Sequence, residues 1–396
     1  MSTTDGFYAQ QTDKSRIKTM IVTEFFKAYF PIINNSVGQK AREIIYIDLF
    51  SGPGCFENGD PSTPLALLNL INAFQLDDIR NKLRIVLNDE NSKFVEKLKT
   101  IVNNHEVKSR LKFEPVITNM KAGEVDLKVY TYKNVPIFSF IDPWGYKDVS
   151  ADQTWALVKN IGSDCVLFFN SNRFLMDIPK ESQSCHFKPI FGDQLPEVVK
   201  IVFDVTMGQK QKTQKIVELF SKNLCNVMAK SSYMGFKLFV LPFCVAADDK
   251  EKTSHHIVFI TKNHKAIIEM KKVMLKNTNR DNIQLGFDSK EQLEISLFGR
   301  ADFSEDVIVN LIKQHFRNNY DCFYKEWTIA SLLEELDLNS MISVNQVTPY
   351  SFEEIKKVLK LLERNGAIDI KVEANQKIRD KITNERKFII KKELLV

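Results

Sequence analysis

A chain of 396 residues is long for one domain, and 44% hydrophobic against 27% charged residues is the balance of a globular protein with a sizeable core. That balance excludes a disordered chain or a small disulfide-built scaffold. A net charge of +5 permits a polyanionic partner without requiring one.

The six cysteines, Cys55, Cys165, Cys185, Cys225, Cys244 and Cys322, are widely spaced, with no C-x-x-C and no histidine in zinc spacing. Neither a disulfide framework nor a bound metal is therefore expected. The N-terminus is polar, without an apolar leader, and no apolar run approaches the roughly 20 residues that span a bilayer. These features suggest a cytoplasmic protein with no membrane partner.

In chain order, Ile17, Met20, Ile21, Phe25, Ala28 and Tyr29 recur at helical spacing and predict a helix over 14–30, stopped by Pro31. Five short apolar runs then alternate with helical patterns, at 44–50, 83–87, 111–117, 136–141 and 165–169. They lack strict alternation, as strands buried on both faces of a parallel sheet do. Thr63 is expected to cap a helix over 64–73 with Pro64 in its first position. Ser150-x-x-Gln153 reads as a capping box for a helix running to Lys159.

Residues 183–235 break this rhythm and read as a mostly helical insertion that holds a polar, basic loop at 209–215. The β-type runs 237–245 and 255–261, joined by a turn-prone stretch, have the signature of a hairpin. A parallel five-stranded sheet finished by an antiparallel hairpin is the Rossmann-like α/β architecture of class I methyltransferases, expected here over residues 1–300. From 301 to 396 the pattern changes to helices over 304–319, 328–336 and 351–365, then β-type runs at 367–372 and 387–390. Three helices and a hairpin read as a winged helix-turn-helix. Its second and third helices are about 14 residues apart, against the 3–4-residue turn of a DNA-reading motif, so nucleic-acid contact and protein docking both stay open. Residues 371–396 hold eight Lys/Arg against four Asp/Glu, and this basic wing makes nucleic acid the expected partner.

The chemistry concentrates at strand ends. The first run stops in Asp48, and the turn behind it carries Gly52 and Gly54. Glycine permits positive φ and close approach of backbone to ligand, as turns that hold an adenosine-containing cofactor require. Asp48, Phe50, Ser51, Gly52 and Gly54 are accordingly candidate cofactor-binding residues. The second run ends in Asn88-Asp89, where a carboxylate can take both ribose hydroxyls, although Asp89 could equally cap the following helix. Asn119, after the third run, could read an adenine edge or merely occupy a turn.

The fourth run ends in Asp142-Pro143-Trp144-Gly145-Tyr146. This is close to the Asp/Asn-Pro-Pro-aromatic signature of amino-directed methyltransferases, with the second proline missing. In that signature the acid and a proline-adjacent carbonyl orient an exocyclic amine while an aromatic ring stacks on the base. Asp142, Pro143, Trp144 and Tyr146 are therefore the candidate catalytic residues, and S-adenosylmethionine is the expected cofactor. A nicotinamide fold would run G-x-G-x-x-G straight into its helix, and a phosphate-cradling loop would need Gly-Lys-Ser/Thr; neither pattern is present.

The stretches YIDLFSGPGCFENGDPSTPLALL, FSFIDPWGYKDV and LPFCVAADDKEKTSHHIVFITKNHKAIIEMKKVM, with the C-terminal region, resemble the three-Cys-motif partner proteins over nearly the whole chain. That family is described as methyltransferase-like and is paired with a radical-SAM-like protein bearing three cysteines. The resemblance implies the same fold and such a partner. It places Asp48, Gly52 and Gly54 in the family's first motif and Asp142, Pro143, Gly145 and Tyr146 in its second. Trp144 stands where phenylalanine is usual, and Asn88 where glutamate is usual, with Asp89 beside it.

Overall fold

Helix α1, Asp13–Asn34, begins where the Thr12 hydroxyl accepts the Ser15 N–H and presents Ile17, Ile21, Phe25 and Tyr29 as one buried face. It does not stop at Pro31. The carbonyl that the proline leaves without a donor belongs to Lys27, whose side chain is exposed, so water can serve it. The computed structural model of the protein describes residues 8–74, 77–132, 135–180, 184–231, 237–246, 253–277, 285–286, 304–338, 350–371 and 385–395. The chain divides into two compact units, Met1–Gly286 and Phe287–Val396.

The first unit is built on eight strands: β1 Ile44–Asp48, β2 Leu83–Asn88, β3 Val116–Thr118, β4 Ile137–Ile141, β5 Asp164–Phe169, β6 Phe239–Ala246, β7 Thr253–Thr261 and β8 Leu285–Gly286. Their order is β3-β2-β1-β4-β5-β7-β6-β8. Strands β1 to β5 are parallel, and β7 runs antiparallel to both β5 and β6. This is the parallel-dominated α/β sheet closed by a hairpin that the apolar runs imply; the turn-prone stretch between β6 and β7 lies outside the described residues. From β1 the chain steps outward through β2 to β3 and then returns to β4 on the other side of β1, so a crevice opens beyond the carboxyl ends of β1 and β4.

Both faces of the sheet are covered. Alternation sends Tyr46 and Phe138 toward α1, where Phe25, Phe26 and Tyr29 meet them at ring separations of 5.2–6.0 Å. Ile45, Ile47 and Ile137 face the other way, into a core shared with Trp155 of α5 (Ala151–Val158). Helix α6 (Ser171–Asp177) and the segment expected as an insertion, 183–235, supply much of that layer. Helices α6, α7 (Ser184–Phe191), α8 (Leu195–Phe203) and α9 (Gln209–Lys230) pack together, and Ile216, Val217, Phe220 and Leu224 of α9 join the central core. Residues 209–215 open α9 with Thr213 and Gln214 buried, so they are not a solvated loop.

Helix α2, Thr63–Ala73, has Ser62 rather than Thr63 in the capping position; the Thr63 hydroxyl instead pairs with Thr19 at 3.1 Å. Helices α3 (Asp77–Lys82), α4 (Ser92–Asn104) and α10 (His264–Lys276) complete the unit. The second unit contains α11 (Ser304–Asn318), α12 (Ile329–Leu338) and α13 (Phe352–Arg364), then the antiparallel pair β9 (Ile368–Ile370) and β10 (Phe388–Ile390). Ser351 and Glu354 form the reciprocal capping box of α13, and Gly366 follows at φ +75°.

Candidate functional site

The site is assembled from strand exits. Asp48 closes β1 and is 1% exposed. Its Oδ1 accepts the Phe50 N–H at 3.0 Å, which starts the turn. Its Oδ2 is buried without a hydrogen bond among the described residues, as is the neighbouring Tyr46 hydroxyl, whose interaction with the carboxyl opposes the effect of burial. Burial pushes the carboxyl well above the ordinary range. The Phe50 N–H opposes that shift, and the charges of Asp142 and Asp89 reinforce it. Gly52 and Gly54 take φ of +63° and +86°, so both glycines of the turn are conformationally required. The loop behind them folds on itself, with Ser62 N–H donating to the Gly54 carbonyl at 3.0 Å. The Ser51 hydroxyl donates to the Asp48 carbonyl and accepts the Asn88 N–H, which welds the turn to β2 and turns Ser51 away from any ligand.

At the β2 exit two neighbouring residues part ways. Asn88 is fully buried: its Nδ2 donates to the carbonyls of Leu49 and Met120, and its Oδ1 accepts from Thr118 and the Met120 N–H. The amide has no capacity left for a cofactor, so Asn88 is a clamp between strand exits. Asp89 faces the crevice. Its Oδ2 accepts the Gly52 N–H at 2.8 Å and its Oδ1 the Asn91 N–H at 2.9 Å, which leaves each oxygen a further lone pair. The cap of α4 is Asn91, whose side chain accepts the Lys93 N–H, and not Asp89. Burial raises the Asp89 carboxyl, and the two N–H donors oppose the shift. Asn119 is exposed and donates to the carbonyls of Asp89 and Glu90, so its amide braces the β2 exit and does not line the crevice.

The β4 exit differs most from expectation. The Asp142 Oδ2 forms an ion pair with Lys18 Nζ of α1 at 2.6 Å, and the same ammonium lies 4.1 Å from the Phe168 ring centre. The Pro143 carbonyl accepts the Gly145 N–H at 2.8 Å in a tight turn at Gly145, whose φ is +123°. Trp144 is 52% exposed and stands at the rim. Tyr146 points the other way: its ring is buried against Phe174 and Phe187 at 5.3 and 4.9 Å, where it cannot stack on a substrate base.

Leu49, Phe50, Asp89, Phe94, Ala122 and Trp144 line a pocket of about 190 Å³ at these exits. Lys147 and Asp148 close its edge, and Asp148 is the one non-glycine among the described residues with φ in the left-handed region, at +60°. Beside the pocket lies Tyr8, which no motif announces. Its ring contacts Phe56, Phe94 and Trp144 at 5.6, 5.0 and 6.3 Å, and its carbonyl accepts the Glu57 N–H at 2.8 Å. A Cβ at Gly52 would lie 2.3 Å from the Tyr8 oxygen, so the hydroxyl occupies the space the glycine opens. Burial, then the charges of Asp142, Asp89 and Asp48, hold that phenol far above its ordinary pKa. The Tyr8 hydroxyl thus feels the charges of Asp48, Asp89 and Asp142 together. Lys18 had a legible signal, a lysine on the apolar face of α1; Tyr8 and Asp148 had none.

No family model and no curated protein matches the chain. Among solved structures it is similar to Trm1 from Pyrococcus horikoshii in complex with S-adenosyl-L-methionine, at 12% identity and a TM-score of 0.37 over 98% of this chain and 93% of that one. A protein of Legionella pneumophila, LPL1258, aligns at 10% identity and a TM-score of 0.39 over 68% of this chain and 96% of its own. The plantazolicin methyltransferase BamL, solved with SAH, aligns at 12% identity and a TM-score of 0.26 over 65% of this chain and 93% of its own.

Proposed function

We propose that the chain is an S-adenosylmethionine-dependent methyltransferase acting on an exocyclic amine of nucleic acid. The observation that carries this reading is the Asp89 carboxylate, fixed by Gly52 and Asn91 at the mouth of a pocket with a lone pair left on each oxygen. Such a carboxylate suits the paired hydroxyls of a ribose. Leu49, Phe50 and Ala122 offer apolar surface for a purine, and Asp48, whose raised carboxyl a neighbouring cation would bring back to the ionised form, suits the amino group of a methionine arm. When bound, the cofactor supplies an electrophilic methyl group. Asp142 engages Lys18 through Oδ2, which leaves Oδ1 to accept an amine N–H, and the Pro143 carbonyl retains a second lone pair for the same purpose. Trp144, exposed at the rim, is the ring available to stack on a base. Alignment and exclusion of water would supply most of the rate, with no strong base needed.

A second reading, a non-catalytic cofactor-binding scaffold, is favoured by the Lys18–Asp142 ion pair and by the Tyr8 hydroxyl that fills the space beside Gly52. On that reading the second unit, read as a winged helix, docks onto DNA or a three-Cys-motif partner. Calorimetry with S-adenosylhomocysteine, followed by tritiated methyl transfer to DNA, RNA and protein, separates the two. Methyl transfer that Asp142→Ala abolishes, while cofactor affinity stays within a few-fold, supports the enzyme. Tight binding with no transfer to any acceptor supports the scaffold.

A further inference from the structure

Away from the crevice, three potential metal ligands of different chemistry meet inside the second unit. His315 lies in the last turn of α11, Cys322 in the 3₁₀ turn Tyr320–Tyr324, and Glu335 on α12. Their ligand atoms all lie within 4.8 Å of one another. The His315 Nε2 is 3.5 Å from the Cys322 Sγ and 3.7 Å from a Glu335 Oε1. For tetrahedral zinc, with Zn–S of about 2.3 Å and Zn–N or Zn–O of about 2.0–2.1 Å, the S···N edge is about 3.5 Å and the N···O edge about 3.3 Å. The cluster matches the first edge and misses the second by a few tenths of an ångström; the S···O edge, about 3.5 Å in such a site, is bounded here at 4.8 Å, so the Glu335 carboxylate must swing inward to close on the ion.

From these distances we propose that His315, Cys322 and Glu335 bind one zinc-class divalent ion that ties α11, the 3₁₀ turn and α12 together. The ligand set suits that ion: thiolate and imidazole select zinc over harder cations, and one thiolate with one carboxylate neutralises its charge. Exposure is graded correctly as well. The His315 and Glu335 side chains are 5% and 29% exposed and Cys322 is buried, so the carboxylate edge is the side from which an ion, and a water as its fourth ligand, would enter.

The surroundings hold the ligands in place. The Trp327 indole N–H donates to the Cys322 carbonyl at 3.1 Å, the Asn319 side chain donates to the His315 carbonyl at 3.0 Å, and Phe316 packs on Phe323 at 4.9 Å. Lys325 is the opposing cation; its ammonium lies 5.7 Å from the centre of the Trp327 ring. Without an ion, the same 3.5 Å contact is a thiol–imidazole hydrogen bond, and only metal titration distinguishes the two. Sequence spacing concealed the cluster because six residues separate His315 from Cys322 and twelve separate Cys322 from Glu335.

The test is a cobalt titration of the full-length, chelator-treated protein, with metal analysis of the untreated preparation. The expected result is a thiolate-to-cobalt charge-transfer band and four-coordinate d–d bands that saturate at a single equivalent and vanish on adding zinc. Cys322→Ser should remove the charge-transfer band. Glu335→Gln, which keeps the side chain's shape, should weaken zinc by more than about tenfold, the scale on which a perturbed site loses metal. Zinc should raise the melting temperature of the wild type and leave Cys322→Ser unchanged. Absence of the bands in the wild type, or bands that survive in Cys322→Ser, would overturn the proposal.

Discussion

Tyr8 is a residue whose placement decides how the crevice is used. Its hydroxyl occupies the room that Gly52 opens, and its ring is held by Phe56, Phe94 and Trp144. With its pKa driven far upward by burial and three neighbouring acids, the phenol stays protonated across the physiological range. If a methionine arm enters beside Gly52, Tyr8 must leave, and the aromatic contact it gives up is worth roughly 1.5–3 kcal/mol. Tyr8→Ala should therefore bind S-adenosylhomocysteine about tenfold more tightly by calorimetry, one decade being about 1.4 kcal/mol. Weaker binding in the variant would make the ring part of the cofactor's own contact surface. The contrast between Tyr8 and Asp89 shows what was legible at this scale. Gly52 and Gly54 share one short turn and Asp89 follows directly on an apolar run, so each is marked by its local pattern, whereas Tyr8 lies more than 40 residues upstream of Gly52 in a polar stretch with no such mark. Orientation was equally hidden. Consecutive residues in extended chain face opposite ways, so only one of Asn88 and Asp89 could look into the crevice, and composition does not say which.

Among the elements, continuous apolar runs identified β1, β2, β4 and β5 almost to their ends, because strands buried on both faces leave no alternative reading. The edge strand was less legible: of 111–117 only Val116 and Ile117 pair, within β3, since Lys112 and Glu114 are exposed. Helix α9 was misread at its start because a run of Gln and Lys masks the apolar period that begins at Ile216. Strand β5 carries a consequence for stability. It begins in Asp164, whose carboxyl burial pushes up to about 7, while burial pushes Lys262, just after β7, down to about 8. An unfolded Asp ionises near 3.9, so between about pH 4 and 7 the folded state keeps a proton that the unfolded chain has released, and stability falls as pH rises. An unfolded Lys ionises near 10.4, so above about pH 8 the unfolded chain holds the extra proton and stability recovers. The two effects place a trough near pH 7–8, on the order of a few kcal/mol deep. Asp164→Asn should fill it: urea denaturation should find the variant more stable than wild type near pH 7.5 and no more stable near pH 4. A wild-type-like decline in the variant would trace the pH dependence to another group.

For the molecule as a whole, the division at Gly286 separates two kinds of chemistry. Every residue of the crevice, from Tyr8 to Asp148, belongs to the first unit, and so do all the strands of its sheet, including β8 at Leu285–Gly286. The helix and strand order of the second unit was legible because its capping box and Gly366 punctuate the chain locally. Its electrostatics were not. Lys371 and Lys387 both pair with Glu326, at 3.3 and 3.4 Å, and Lys391 pairs with Asp369 at 2.8 Å. The basic character of the C-terminal stretch is thus partly answered from within, by exposed surface ion pairs that phosphates could displace. Any nucleic-acid binding through this unit should be weak and steeply salt-dependent. A fragment ending at Gly286 should consequently fold, bind S-adenosylhomocysteine within about twofold of the full chain, and lose most of its affinity for DNA and RNA at low salt. Calorimetry and fluorescence anisotropy on the two proteins measure both halves of that statement. A fragment that folds but no longer binds the cofactor would make the second unit part of the binding machinery, and one that keeps its nucleic-acid affinity would move the polyanion contact onto the sheet unit.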